Sequence, residues 1–155
     1  MTKFAYIGFS GSSEHVTETQ VQNLARTFRR LAIDHVGHRM VLHHGDCVIA
    51  DALAHAMAKR MGWLVELHPP SNDYKRAWCE GADVIHPERP FMGRNQDIAA
   101  ACSVLVATPD EANEVLRSGT WSTVRRARKL GRRVVIVAPD GSVREEVGRA
   151  GLGLR

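Results

Sequence analysis

Cysteine is scarce in this sequence, and what there is follows no pattern. Cys47, Cys79 and Cys102 include no C-x-x-C pair, so neither a disulfide framework nor a thiolate zinc site is indicated; a reduced, cytoplasmic setting is the default expectation. No apolar run approaches the ~20 residues of a membrane span. The opening MTKFAYIGFSGSS lacks a signal peptide's long apolar stretch, and its residues 4–9 read as a strand. Aromatics make up only 6%, and none interleaves with the arginines of 125–133, so a solvated basic face is expected there before a nucleic-acid patch. There is no internal repeat and no low-complexity segment.

What is present suits one α/β domain. Residues 1–116 hold 11 Lys/Arg against 14 Asp/Glu, whereas 117–155 hold 10 against 3, which concentrates Arg125, Arg126, Arg128 and Lys129 on one helix. Short apolar runs at 3–9, 39–43, 63–67, 104–107 and 134–138 read as strands, the first of them as one buried on both faces. Between them, Val21, Leu24, Ala25, Phe28, Leu31 and Ala32 recur at helical spacing, as do Ala50, Leu53, Ala54, Met57, Ala58 and Met61. Thr17-Glu18-Thr19-Gln20 fits a capping box, with Val16 and Val21 as its hydrophobic staple.

Further helices are expected at 94–102 and from Ser118 onward, where Trp121, Val124 and Ala127 face inward as core. The fold class is therefore a Rossmann-like three-layer α/β/α architecture. Its sheet is five-stranded and mainly parallel, in the order 3-2-1-4-5. The domain spans 1–140. In the tail, 141–155, Ser142-Val143-Arg144-Glu145 has capping-box spacing and predicts a short helix, with Gly148, Gly151 and Gly153 fraying the end. Residues 71–93 carry no sustained period; a short helix at 74–80 and a role as lid are expected there.

Such a sheet binds ligands outside the carboxyl ends of its strands, where the strand order reverses. The loops meeting there hold Ser10, Gly11 and Ser12, then Gly45 and Asp46, then Thr108 and Pro109, then Ser118, Gly119 and Thr120. Ser118-Gly119-Thr120 opens directly into a helix. The free N–H groups and partial positive charge of such a start suit a phosphate, and glycine admits an oxygen close to the backbone.

These segments resemble the SLOG superfamily, the Rossmann-like group that includes the Lonely-guy phosphoribohydrolases and the DNA-processing protein A family. The likeness lies in GFSGSS at 8–13, HGDCVIAD at 44–51, RPFMGRNQDI at 89–98 and LRSGTWSTVRRARKLGRRVVIV at 116–137. It is nearest to small standalone bacterial and phage proteins of the YspA type. The resemblance implies a nucleotide or nucleotide-derived ligand, no separate cofactor, and a homodimer. Lonely-guy enzymes place a glutamate in P-G-G-x-G-T-x-x-E, and here Gly119-Thr120 is followed by Thr123 at that position. The enzymes' arginine matches Arg94. Ile49 stands where the second loop usually has glycine.

Three functions follow: a nucleotide binder, a nucleotide N-glycosidase using Arg94 with an unconventional acid such as Asp51, or a DNA-binding module using the basic residues of 125–133. Asp46, Asp97 and Glu114 are further candidates for that acid. Asp51 and His55 stand at i and i+4, and His43, His44, His68 and His86 lie near strand ends, but no third ligand has motif spacing, so no metal site is assigned. His68 is read instead as a ligand contact.

Overall fold

The first strand, β1 (Lys3–Gly11), lies in the middle of the sheet because both its faces are apolar enough to be covered. The computed structural model describes residues 1–148. Its other strands are β2 (His38–His44), β3 (Leu64–Leu67), β4 (Val84–Ile85), β5 (Val104–Thr108), β6 (Arg133–Val137) and β7 (Val143–Val147). The helices are α1 (Glu18–Asp34), α2 (Ala50–Arg60), α3 (Phe91–Ala101) and α4 (Gly119–Lys129). The sheet order is β4-β3-β2-β1-β5-β6-β7, parallel throughout except for the β6–β7 pair.

The inner five strands keep the expected 3-2-1-4-5 order, and the order reverses between β1 and β5. Five strands were too few, however. The sheet gains β4 at one edge and β7 at the other. The tail forms this second strand rather than a helix: Ser142 N–H and Oγ–H both donate to Asp140 Oδ1, so Ser142 completes a tight turn instead of capping. Val143–Val147 then pairs with Arg133–Val137, and Arg133 holds Glu145 across the pair at 3.0 Å. Within 1–148 the sheet therefore continues past residue 140; Gly151 and Gly153 lie outside the described residues.

Helices α1 and α2 cover one face, where Ile7 and Phe9 meet Leu24, Phe28, Ala54 and Ala58. Phe28 stacks on Trp63 at 4.9 Å and meets Phe9 edge-on at 6.4 Å. Burying each such aromatic is worth about 1.5–3 kcal/mol relative to exposure. Helices α3 and α4 cover the other face through Ile98, Val124, Ala127 and the fully buried Trp121.

The capping box of α1 forms as expected, and it reaches beyond its own helix. Gln20 accepts from Thr17 N–H through Oε1, while its Nε2 donates to Pro109 O at 2.8 Å and Val137 O at 3.0 Å. One buried amide thus ties the start of α1 to the ends of β5 and β6. No helix among the described residues is long and apolar enough to cross a membrane.

Residues 74–80 form no helix. Their backbone is instead tied down by Asp46, whose carboxylate accepts from Cys79 N–H and from Arg76 Nε, both at 2.9 Å, and whose carbonyl accepts from Ala77 N–H at 2.8 Å. Lys75 and Trp78 both adopt positive φ, which no helix tolerates. The 71–93 segment is ordered by a buried acid rather than by its own periodicity.

Candidate functional site

At the point where the strand order reverses, the ends of β1 and β5 and the starts of α2, α3 and α4 enclose a cavity of about 320 Å³. The first wall is the turn after β1, with Ser10, Gly11, Ser12, Ser13 and Glu14. Ser12 is spent inside that turn. Its Oγ–H donates to Asp110 at 2.8 Å, and its oxygen accepts from Glu14 N–H at 2.9 Å. Gly11 is required sterically, since a Cβ there would lie 2.3 Å from Thr108 Oγ1 and 2.5 Å from Ala50 Cβ.

The opposite wall is the start of α4. Ser118 is its N-cap, accepting from Trp121 N–H at 3.1 Å. The N–H groups of Gly119 and Thr120 fall in the first turn, where no intrahelical acceptor exists. A Cβ on Gly119 would meet nothing nearer than Asn95 Nδ2 at 3.9 Å, so this glycine faces open space. Trp121 is core, as expected, and its indole N–H donates to Glu111 in the cavity wall at 3.1 Å.

The floor is built by α3 and the loop into α2. Arg94 is buried, and its guanidinium donates to Gly45 O and touches Cys47 Sγ at 3.7 Å, leaving Nε without a partner. A side chain at residue 45 would collide with that guanidinium. Asp51 lies close by, buried, accepting from Cys47 N–H at 3.1 Å. Burial pushes its carboxyl up from 3.8 to about 6, against the opposing pull of the Arg94 cation. Cys47 also lines the cavity, but burial raises its thiol, so it is a poor nucleophile at neutral pH.

Ile49, the N-cap of α2, has φ 71° and ψ −100°. This is the left-handed half of conformational space, which a β-branched residue enters only with strain. The loop therefore keeps a glycine-type backbone under an isoleucine side chain.

Of the residues singled out from sequence, Ser10, Gly11, Ser12, Gly45, Asp51, Arg94, Ser118, Gly119 and Thr120 converge on this cavity. Others do not line it. Asp46 is fully buried and serves the 76–79 backbone. Thr108 and Pro109 lie behind the wall, where their carbonyls accept from Ser12 N–H and Gln20 Nε2. Thr123 is fully buried within α4 and donates back to Gly119 O at 2.9 Å, so the position that holds glutamate in Lonely-guy enzymes presents no group to the cavity here.

Asp97 pairs with Arg89 on the surface, and Glu114 with Arg125 and Arg128. His68 touches His43 and His86 rather than the cavity, and His55 bonds His44 and Glu80 O, so it does not converge with Asp51. Of the expected lid, only Phe91 reaches the cavity.

Sequence reasoning missed Glu14, Asn95, Ile98, Glu111 and Arg117 in the lining. Arg117 and Glu111 flank motif residues and were legible by adjacency. Asn95 and Ile98 arrive only because α3 packs against α4.

No protein-family model and no curated protein matches the chain. Its Rossmann-like α/β fold nevertheless recurs among solved structures. A molybdenum cofactor binding protein from the phototrophic bacterium Rippkaea orientalis superposes with TM-score 0.66 at 23% identity, over 89% of this chain and 78% of that one. DNA processing protein A from Streptococcus pneumoniae gives 0.63 at 21% identity, over 86% of this chain but only 50% of its own. The structural-genomics protein TM1055 gives 0.58 at 17% identity, over 86% and 72%. At these identities the likeness is one of fold.

Proposed function

We propose that the chain binds a nucleotide or nucleotide-derived ligand in this cavity, with the phosphate on the N-terminus of α4. The observation that carries this reading is the start of α4: two first-turn N–H groups and the Thr120 hydroxyl beside an unobstructed Gly119, all in the cavity wall. The volume, about 320 Å³, is at the small end of ligand sites. The lining also holds Glu14, Asp51, Asp110 and Glu111, against the two cations Arg94 and Arg117. That balance disfavours a polyphosphate and suits one phosphate plus hydroxyls, such as a ribose diol, that donate to carboxylates. A protein of this fold named for binding molybdenum cofactor supports a small cofactor-like ligand for the scaffold.

The test is equilibrium filtration of the protein with nucleoside 5′-monophosphates, NAD and ADP-ribose, followed by chromatography of the filtrate. One ligand is depleted intact, and Gly119→Glu, which fills the phosphate position with bulk and negative charge, abolishes the depletion. Unchanged affinity in that variant removes the placement.

A second reading, N-glycosidic bond hydrolysis, is favoured by Asp51, a cavity carboxyl poised near neutral pH beside a buried arginine. Free base then appears during incubation and vanishes in Asp51→Asn and Arg94→Ala. DNA binding draws less support, because Arg125, Arg128 and Arg133 are already paired with Glu114, Glu146 and Glu145. Pairing of two chains is supported by Phe4, Tyr6 and Val84, all exposed; sedimentation velocity tests it.

A further inference from the structure

Three imidazoles meet at the carboxyl ends of β2, β3 and β4, outside the cavity, and the Glu66 carboxylate adjoins two of them, His86 and His43. His43 and Glu66 are register partners on β2 and β3, and Glu66 pairs in turn with Val84 on β4. Partners in register point to the same face, and so do residues two further along. His68 and His86, two beyond Glu66 and Val84, therefore join them; the ladder is prolonged there by His68 N–H to His44 O and His86 N–H to Leu67 O.

The three imidazoles bring one ring nitrogen each to within 4.8 Å of one another. His43 Nδ1 is 2.9 Å from His68 Nε2, Glu66 Oε1 is 2.7 Å from His86 Nε2, and the same Glu66 oxygen is 4.0 Å from His43 Nδ1. A tetrahedral ion with bonds of about 2.0–2.1 Å holds its ligand atoms about 3.3 Å apart, between those spacings. The rings of His68 and His86 lie nearly parallel at 4.3 Å.

From this geometry we propose that His43, His68 and His86, with Glu66, form a site for a borderline divalent transition cation, zinc being the ion that three imidazoles and one carboxylate suit. The converging nitrogens bond one another or Glu66, while the other nitrogen of the buried His43, Nε2, has no partner.

The neighbouring group of His44, His55 and Cys79 differs on this point. Asp46 N–H donates to His44 Nδ1, His44 Nε2 to His55 Nδ1, and His55 Nε2 to Glu80 O, so every ring nitrogen is used. Burial lifts the Cys79 thiol to about 12. That chain is a closed hydrogen-bonded relay.

An ion at the first cluster would pin the edge strand β4, only two residues long, to β2 and β3. None of its ligands lines the cavity, so the proposal stands apart from the nucleotide reading.

The test uses untagged, chelator-stripped full-length protein titrated with Co²⁺ as a spectroscopic probe, then with Zn²⁺. One Co²⁺ per chain gives the intense visible bands of tetrahedral nitrogen and oxygen ligation, without thiolate charge-transfer bands, and Zn²⁺ bleaches them. His86→Ala, at a half-exposed ring, and Glu66→Gln each weaken Co²⁺ binding by roughly 10–100-fold. Cys79→Ser and the surface variant His15→Ala leave it unchanged. Absent visible bands, unaltered affinity in both ligand variants, or thiolate bands that disappear in Cys79→Ser would each overturn the assignment.

Discussion

Replacing Asp51 by Asn stabilises the protein, and does so more at higher pH. The carboxyl is buried in the cavity lining, where burial moves its protonation from 3.8 to about 6. A raised carboxyl is at ease while protonated. Its neutral form carries no penalty below about pH 4, and the cost of ionising it inside the fold grows as pH climbs through the window from 3.8 to about 6.

At about 1.4 kcal/mol per pH unit, the full penalty is about 3 kcal/mol by pH 7. Asn is never charged and keeps an oxygen for Cys47 N–H, so Asp51→Asn escapes that cost; the need to satisfy its new amide makes about 3 kcal/mol the ceiling. For a chain of this size that ceiling is about 6–12 °C in Tm. Thermal melts of both proteins in parallel from pH 4 to pH 8 read it directly, because all other titrating groups are common to the two. The gap in Tm is near zero at pH 4 and opens through pH 6. Two parallel melting curves, or a variant less stable at every pH, would refute the placement of an ionised Asp51 in a desolvated site.

Gly119→Glu retains the parent Tm within about 1–2 °C, because its Cβ meets open space, while nucleotide depletion is lost; calorimetry and filtration on one sample separate the two. Gly45→Ala behaves in the opposite way. Its Cβ would lie 1.8 Å from Arg94 Nη1, so the guanidinium must leave its buried bond to Gly45 O, at a cost of about 1–3 kcal/mol in denaturant unfolding. An unperturbed midpoint there contradicts the clamp. Ile49→Gly relieves a positive φ at a half-exposed side chain and gains about 1 kcal/mol; a lowered denaturation midpoint refutes the strain.

The motifs named the cavity's framework because phosphate recognition at a helix start is local chemistry. Ser118, Gly119 and Thr120 need only their own turn to be recognisable, and Ser10–Gly11–Ser12 likewise. Asp46 was harder. Its place in HGDCVIAD looked like ligand contact, yet which way the carboxylate points depends on Arg76 and Cys79, some thirty residues on. The two edge strands were also hidden. Val84–Ile85 is too short to show alternation, and Val143–Val147 owes its pairing to Arg133–Val137 rather than to any pattern of its own.

From the sequence alone came the α/β class, the order of the five inner strands, the capping box of α1 and the loops that meet at the sheet's carboxyl edge. Each depends on periodicity, on turn residues or on the rule that parallel strands need crossovers, and all of these are written within a few neighbours along the chain. The tertiary structure alone decided which acid faces the cavity, which ring nitrogens find partners and where three imidazoles meet across three strands. Those depend on burial and on distances between residues far apart in sequence, and desolvation has no meaning until the chain has closed around the group.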